Sequence, residues 1–185
     1  MDIHRTTREC CRGFTLIELL ITLSIVAILA TTATGLGSVV QRNEMTAVIN
    51  TLIADMNFAR SEAIKTGTEV IICITNDHEN CAKGNEWQNG WMVYYDNDGD
   101  RRRDADEASA RAQTAISKTI TIAYNGRPVD NYVRFSANGT TNYNGTFTIC
   151  NSRNTTLARA IILSNTGRLR GSSYLANGKA IDCIN

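Results

Sequence analysis

Residues 14–41 carry a single charged side chain, Glu18, and their centre, from Leu19 to Ala30, is almost wholly apolar with neither Pro nor Gly. As a helix, the 27 residues 14–40 reach about 40 Å at about 1.5 Å per residue, enough to cross a bilayer with some tilt. The preceding segment, 1–13, holds Arg5, Arg8 and Arg12 against Asp2 and Glu9, a bias that keeps this end cytoplasmic and sends the rest of the chain to the other side. A cleaved secretory signal, cut near Ala33, is the competing reading. Two features oppose it. A carboxylate within an apolar span costs a few kcal/mol and marks function. The helical pattern also continues past the span as an amphipathic stripe, with Met45, Val48, Ile49, Leu52, Ile53 and Met56 on one face. Such a stripe needs a packed partner.

The junction Arg12-Gly13-Phe14-Thr15-Leu16-Ile17-Glu18-Leu19 resembles the type IV prepilin motif. The resemblance implies cleavage between Gly13 and Phe14 by a prepilin peptidase, N-methylation of Phe14, and an assembly role for Glu18. There Glu18 meets the terminal amine of a neighbouring pilin subunit in a water-poor filament, where an unpaired charge is costly. It also implies a single-pass inner-membrane precursor with a periplasmic head, extracellular once assembled in a pilus. Gly35 stands where major pilins often carry a helix-bending proline.

From Gly67 onward the period becomes strand-like, with candidate strands at 69–75, 90–95, 119–124, 132–136, 146–151, 159–164 and 168–170 separated by Asn, Gly and Asp clusters. The expected fold is α+β and pilin-like: a long N-terminal transmembrane and amphipathic helix packed on antiparallel sheets. The expected divisions are a leader over 1–13, a transmembrane and filament-core helix over 14–40, and a periplasmic head over 41–185. Leader removal takes Cys10 and Cys11 and leaves Cys73, Cys81, Cys150 and Cys183, which permit three pairings. An oxidising location and nearest-neighbour closure favour Cys73–Cys81 and Cys150–Cys183. A zinc site is the alternative, opposed by the lack of a Cys-x-x-Cys pair and by a single His, His78, beyond the leader.

Asp96, Asp98, Asp100, Asp104 and Glu107 fall at positions 1, 3, 5, 9 and 12 of a calcium-loop spacing. Against calcium, Gly99 sits at position 4, Arg101 occupies the usual glycine position 6, and Arg101, Arg102 and Arg103 offset the acids. A self-neutralised surface hairpin is therefore expected. The run Trp91-Met92-Val93-Tyr94-Tyr95-Asp96-Asn97-Asp98-Gly99 resembles the corresponding hairpin of the GspH/FimT pseudopilin family. No catalytic constellation is found: His78 lies in a polar loop without a nucleophile elbow, and there is no phosphate-binding loop. An enzyme, a cofactor and a metal are not expected.

The formal charge of +1 is uninformative, because it conceals a sharp asymmetry. Residues 66–107 hold four basic and ten acidic side chains, whereas 108–185 hold nine basic and two acidic, a change from −6 to +7. Within the basic part, Gly167-Arg168-Leu169-Arg170-Gly171 is the sharpest element. If extended, it sets both guanidinium groups on one face about 6–7 Å apart, with Leu169 on the other. The two glycines are expected to let the backbone turn closely at both ends. Planar guanidinium forks suit successive phosphates.

This Gly-Arg-x-Arg segment resembles the DNA-binding motif of DNA-uptake minor pilins in the same family. The resemblance implies contact of Gly167, Arg168 and Arg170 with double-stranded DNA; charge alone adds Arg159 and Lys179. The expected function is a minor type IV pilin that binds DNA electrostatically for natural transformation. Two other readings remain. The arginines form a solvated edge or pair with acidic residues of the same head, or the chain is a structural pseudopilin of GspH/FimU type whose charge blocks mate with adjacent subunits.

Overall fold

The computed structural model describes residues 13–127 and 131–183, without the side chains of 30–36. The expected leader, Gly13 apart, lies outside the described residues, as does Asp130. The chain divides into two compact units between Gln41 and Arg42.

In the first unit, helix α1 (Leu16–Thr66) begins directly after Thr15. The Thr15 hydroxyl accepts a hydrogen bond from the Glu18 amide at 3.3 Å, the N-cap arrangement that Thr-x-x-Glu specifies. Glu18 also places its charge on the favourable side of the helix dipole. Leu16, Ile17, Leu20, Leu23, Val26 and Leu29 are all exposed by more than half, so this unit presents apolar surface that a lone chain in water does not cover. Among the described residues no helix is long and apolar enough to cross a membrane. The span expected over 14–40 includes 30–36, whose side chains are not described.

In the second unit the helical stripe is realised. Met45, Val48, Leu52, Met56, Ala59 and Ala63 are buried, at the three- and four-residue spacings that line one helix face. They cover two four-stranded antiparallel sheets. The first sheet contains β1 (Glu69–Ile74), β2 (Trp91–Asp96), β3 (Ser109–Gln113) and β5 (Tyr132–Phe135), in the order β3-β2-β1-β5. The second contains β4 (Ile120–Gly126), β6 (Gly145–Asn151), β7 (Arg159–Leu163) and β8 (Leu169–Ser172), in the order β4-β6-β7-β8. One hydrophobic core joins α1 to both sheets, with Trp87, Tyr124 and Phe147 at its centre; Tyr124 stacks on Phe147 at 4.1 Å between ring centroids.

Seven strands fall where the period-2 pattern places them. The eighth, β3, is missed because Ser109-Ala110-Arg111-Ala112-Gln113 has no large apolar residue and pairs only along an edge. What fixes β3 is a polar contact. Asp55 of α1, 8% exposed, accepts from the Trp91 indole Nε1 at 2.9 Å and from Arg111 Nη1 at 2.9 Å. The Arg111 guanidinium lies over the Phe58 ring, 3.8 Å from its centroid. A second tie runs from the Tyr95 hydroxyl to Glu62 Oε2 at 2.7 Å.

Disulfides link Cys73 to Cys81 and Cys150 to Cys183. The first closes a polar loop onto a smaller buried cluster of Ile71, Cys73, Met92 and Tyr94 on the outer face of the first sheet. The second pins the C-terminal tail to β6.

Asp55→Ala is expected to destabilise the protein by about 2 kcal/mol, measured by denaturant unfolding. Most of that comes from stranding the buried Trp91 N–H, since the half-exposed Arg111 ion pair adds little. In a cycle with Trp91→Phe the two losses should be clearly less than additive.

Candidate nucleic-acid interface

The second sheet separates its faces cleanly. Directly opposed residues of antiparallel strands share a face, so the register sets Tyr124, Phe147, Ile161 and Leu163 toward α1 and Thr146, Ile162 and Arg170 away from it. Leu169 opposes Leu163 and is partly buried against the core. Arg168 and Arg170, one residue to either side, are exposed, and Arg170 opposes Ile162 on the outer face. The alternation expected for this segment is therefore present. Neither arginine makes an ion pair among the described residues.

Gly167 closes the β7–β8 hairpin. Its amide donates to the Ser164 carbonyl at 2.9 Å, and the Ser164 amide donates to the Arg168 carbonyl at 3.0 Å. The residue is buried with φ +74°. A Cβ there would collide with the Gly139 carbonyl oxygen and with Arg60 Nε. Its contribution is thus to hold the turn against the α1 side chain and the β5–β6 loop. The expectation for Gly171 is corrected: it lies within β8, paired with Ile161, has no left-handed φ, and a Cβ there meets nothing within 4 Å.

The other basic residues separate into groups. Arg159 opposes Ile149 and shares the inner face with Ile161, at the far end of β7 beside Arg42, Met45, Thr46 and Ile49 of α1. It does not join Arg168 and Arg170. Lys179 sits in a tail hairpin, where its carbonyl accepts from the Leu175 amide at 2.9 Å and Tyr174 bridges Ala180. Leu175, Ala176 and Asn177 of that tail line a cleft with Thr146 and Thr148, so Lys179 is carried on the outer side of the sheet. Arg111 is held by Asp55, and Arg134 pairs with Glu69 at 2.7 Å.

Two residues absent from the sequence-based site belong near it. Arg127 follows β4 and donates its amide to the Asn144 carbonyl at 3.1 Å. It therefore lies at the same end of the sheet as Arg168, three strand spacings or about 14 Å across. Arg60 donates Nε to the Gly139 carbonyl at 2.9 Å, against the Gly167 turn. Its signal was available: Arg60 stands four residues after the buried Met56, on the border of the apolar stripe.

The acidic loop departs from its expected character. Asp96 and Glu107 are buried, at 2% and 3% exposure, and none of Arg101, Arg102 and Arg103 forms an ion pair with the loop among the described residues. Backbone amides serve instead: Asn97 donates to Glu107 Oε1 at 2.7 Å and Gly99 to Asp96 Oδ1 at 3.0 Å. Arg103 turns away and donates to the Glu79 carbonyl at 3.2 Å. Burial pushes the Asp96 carboxyl above its ordinary range, against the lowering effect of the Arg101 and Gly99 amides, and the Glu107 and Glu69 carboxylates push the same way. The loop is thus not neutralised by its arginines.

A capped N-terminal helix that exposes apolar side chains, continuing into an amphipathic segment packed on antiparallel sheets, defines a pilin-type subunit. Residues 48–167 match the family of the type II transport protein GspH, and residues 8–34 match the prokaryotic N-terminal methylation motif. The chain belongs to the GspH family and is a type IV minor pilin or pseudopilin. Two crystal structures of the type IV minor pilin FimU from Pseudomonas aeruginosa are similar. One is 26% identical with a TM-score of 0.55, covering 70% of this chain and 89% of that one. The other is 25% identical with a TM-score of 0.53, covering 69% and 91%. No curated protein matches by sequence.

Gly167→Ala is expected to cost about 1–3 kcal/mol, from strain in the left-handed region and the collision with Gly139. Gly171→Ala should change stability by no more than about 0.5 kcal/mol. Thermal unfolding of the two variants side by side checks the contrast.

Proposed function

We propose that this minor pilin binds double-stranded DNA through the β7–β8 hairpin and captures it for natural transformation, in the manner of FimT. The observation that carries the reading is the pair Arg168 and Arg170, one just before β8 and one within it: both exposed, without an ion pair among the described residues, and held by a hairpin anchored on α1. Two guanidinium groups at strand spacing grip neighbouring phosphates. Arg127, Arg60 and Lys179 add positive potential around them. Binding by such a patch is independent of base sequence and weakens steeply with salt. The precursor spans the inner membrane once through 14–40, is cut after Gly13 by a prepilin peptidase and methylated at Phe14, and enters the filament through Glu18. Its head is then periplasmic, or extracellular once assembled.

The similarity to FimU supports a second reading, a structural minor pilin that joins other subunits through its charged faces. Deleting the gene separates the two, since loss of transformation with intact filaments favours DNA capture and loss of filaments favours assembly. The direct test is fluorescence anisotropy of labelled duplex against the full-length protein in detergent over a salt series. Arg168→Ala/Arg170→Ala should weaken binding at least about tenfold and flatten the log K against log salt slope by about 2, one phosphate contact per arginine. Arg159→Ala, on the opposite face, should leave both unchanged. Wild-type affinity in the double variant removes the motif from the mechanism.

A further inference from the structure

The acidic loop between β2 and β3 is a chemical feature that pilus assembly and DNA capture leave unexplained. One carboxylate oxygen from each of Asp96, Asp98 and Glu107 lies within 4.8 Å of the others, and Asp98, Asp100 and Asp104 form a second such group. The two groups overlap at Asp98, and together they draw five carboxylates from twelve consecutive residues. An acidic cluster of this kind is common on protein surfaces without any ligand. Here a further observation distinguishes it: Asp96 is only 2% exposed, and its Oδ2 is buried without a hydrogen-bond partner among the described residues. A buried carboxylate oxygen that takes no proton donor is costly and demands a reason. The neighbouring arginines do not supply one, because none of them pairs with the loop among the described residues.

We propose that the 96–107 loop is a calcium site, with Asp96, Asp98, Asp100, Asp104 and Glu107 as its carboxylate ligands. The donor set is all oxygen, which suits a hard cation and disfavours zinc or copper. The ligand spacing 1, 3, 5, 9 and 12 is that of a calcium-binding loop. The sequence objection was Arg101 at position 6, where the turn ordinarily requires glycine. In the structure Arg101 adopts φ +67°, the left-handed conformation that glycine would supply. The chain makes the turn without the glycine. Strands flank the loop rather than helices, so binding closes a hairpin and does not drive a helix pair apart. A bound dication supplies the charge that the buried Asp96 oxygen lacks.

The test is calorimetric titration of the full-length protein in detergent, stripped with a chelator, using calcium chloride alone and then magnesium chloride alone. One saturable calcium per chain is expected, with magnesium at least about tenfold weaker. At about a hundredfold excess over the dissociation constant, calcium should raise the unfolding temperature by about 5 °C or more. Asp98→Asn keeps the acceptor for the Asp100 amide, now bonded at 3.0 Å, while removing the charge shared by both groups; it should weaken calcium binding at least about tenfold. Asp104→Ala, whose side chain makes no hydrogen bond among the described residues, should do likewise with an unchanged unfolding midpoint in chelator. Asp106→Asn should bind as wild type. Either no saturable calcium binding by the wild-type protein, or undiminished binding by Asp98→Asn and Asp104→Ala, overturns the assignment.

Discussion

Asp55 is the point on which the second unit turns. It projects from α1 into a nearly closed interface and ties the helix to both the central and the edge part of the first sheet, through Trp91 on β2 and Arg111 on β3. A lone carboxylate in that position is unfavourable. Two donors at 2.9 Å make it tolerable and thereby set the rotation of the helix about its axis. That rotation decides which α1 side chains meet the second sheet. With Asp55 docked, Arg60 reaches the Gly139 carbonyl and the Gly167 turn. The hydrophobic stripe supplies most of the binding of helix to sheets, but apolar packing alone tolerates slippage, and the Asp55 contacts fix the register.

The same logic separates the basic residues by use. Arg111 and Arg134 are occupied by Asp55 and Glu69 and stiffen the first sheet. Arg168 and Arg170, at the edge strand β8, have no ion-pair partner among the described residues. The segment charges therefore overstated the available positive surface. Of the nine basic residues in 108–185, only some stand on one side of one sheet.

Much of this was legible in the sequence. The apolar run, the Gly-Phe junction and Glu18 located the N-terminal unit, and alternation located seven strands because each sets at least one large apolar residue against the core, β8 by Leu169 alone. The failures share one cause: contacts between residues distant in the chain. β3 is a strand because Asp55 holds Arg111, fifty-six positions away, and nothing local says so. Arg159 looked equivalent to Arg168 by charge, yet the register turns it to the inner face. Gly171 looked like a turn residue and is a strand residue, whereas Gly167 is required because the β5–β6 loop presses on it. Similarly, the loop arginines looked like counter-ions because they are adjacent in sequence, but backbone amides reach the carboxylates first.

The Cys150–Cys183 bond has a mechanical consequence. Under the proposed capture of DNA at the β7–β8 hairpin, tension on the polymer would enter at β8, an edge strand that unzips from β7 one hydrogen bond at a time. Without a tether, peeling would run on through the tail to the end of the chain. The disulfide joins the segment beyond β8 back to β6, a strand paired on both sides within the sheet. The hairpin therefore lies inside a covalently closed loop, 33 residues in sequence separation. Peeling is limited to that loop. Load that passes the hairpin is delivered to the middle of the sheet, where strands must shear rather than unzip.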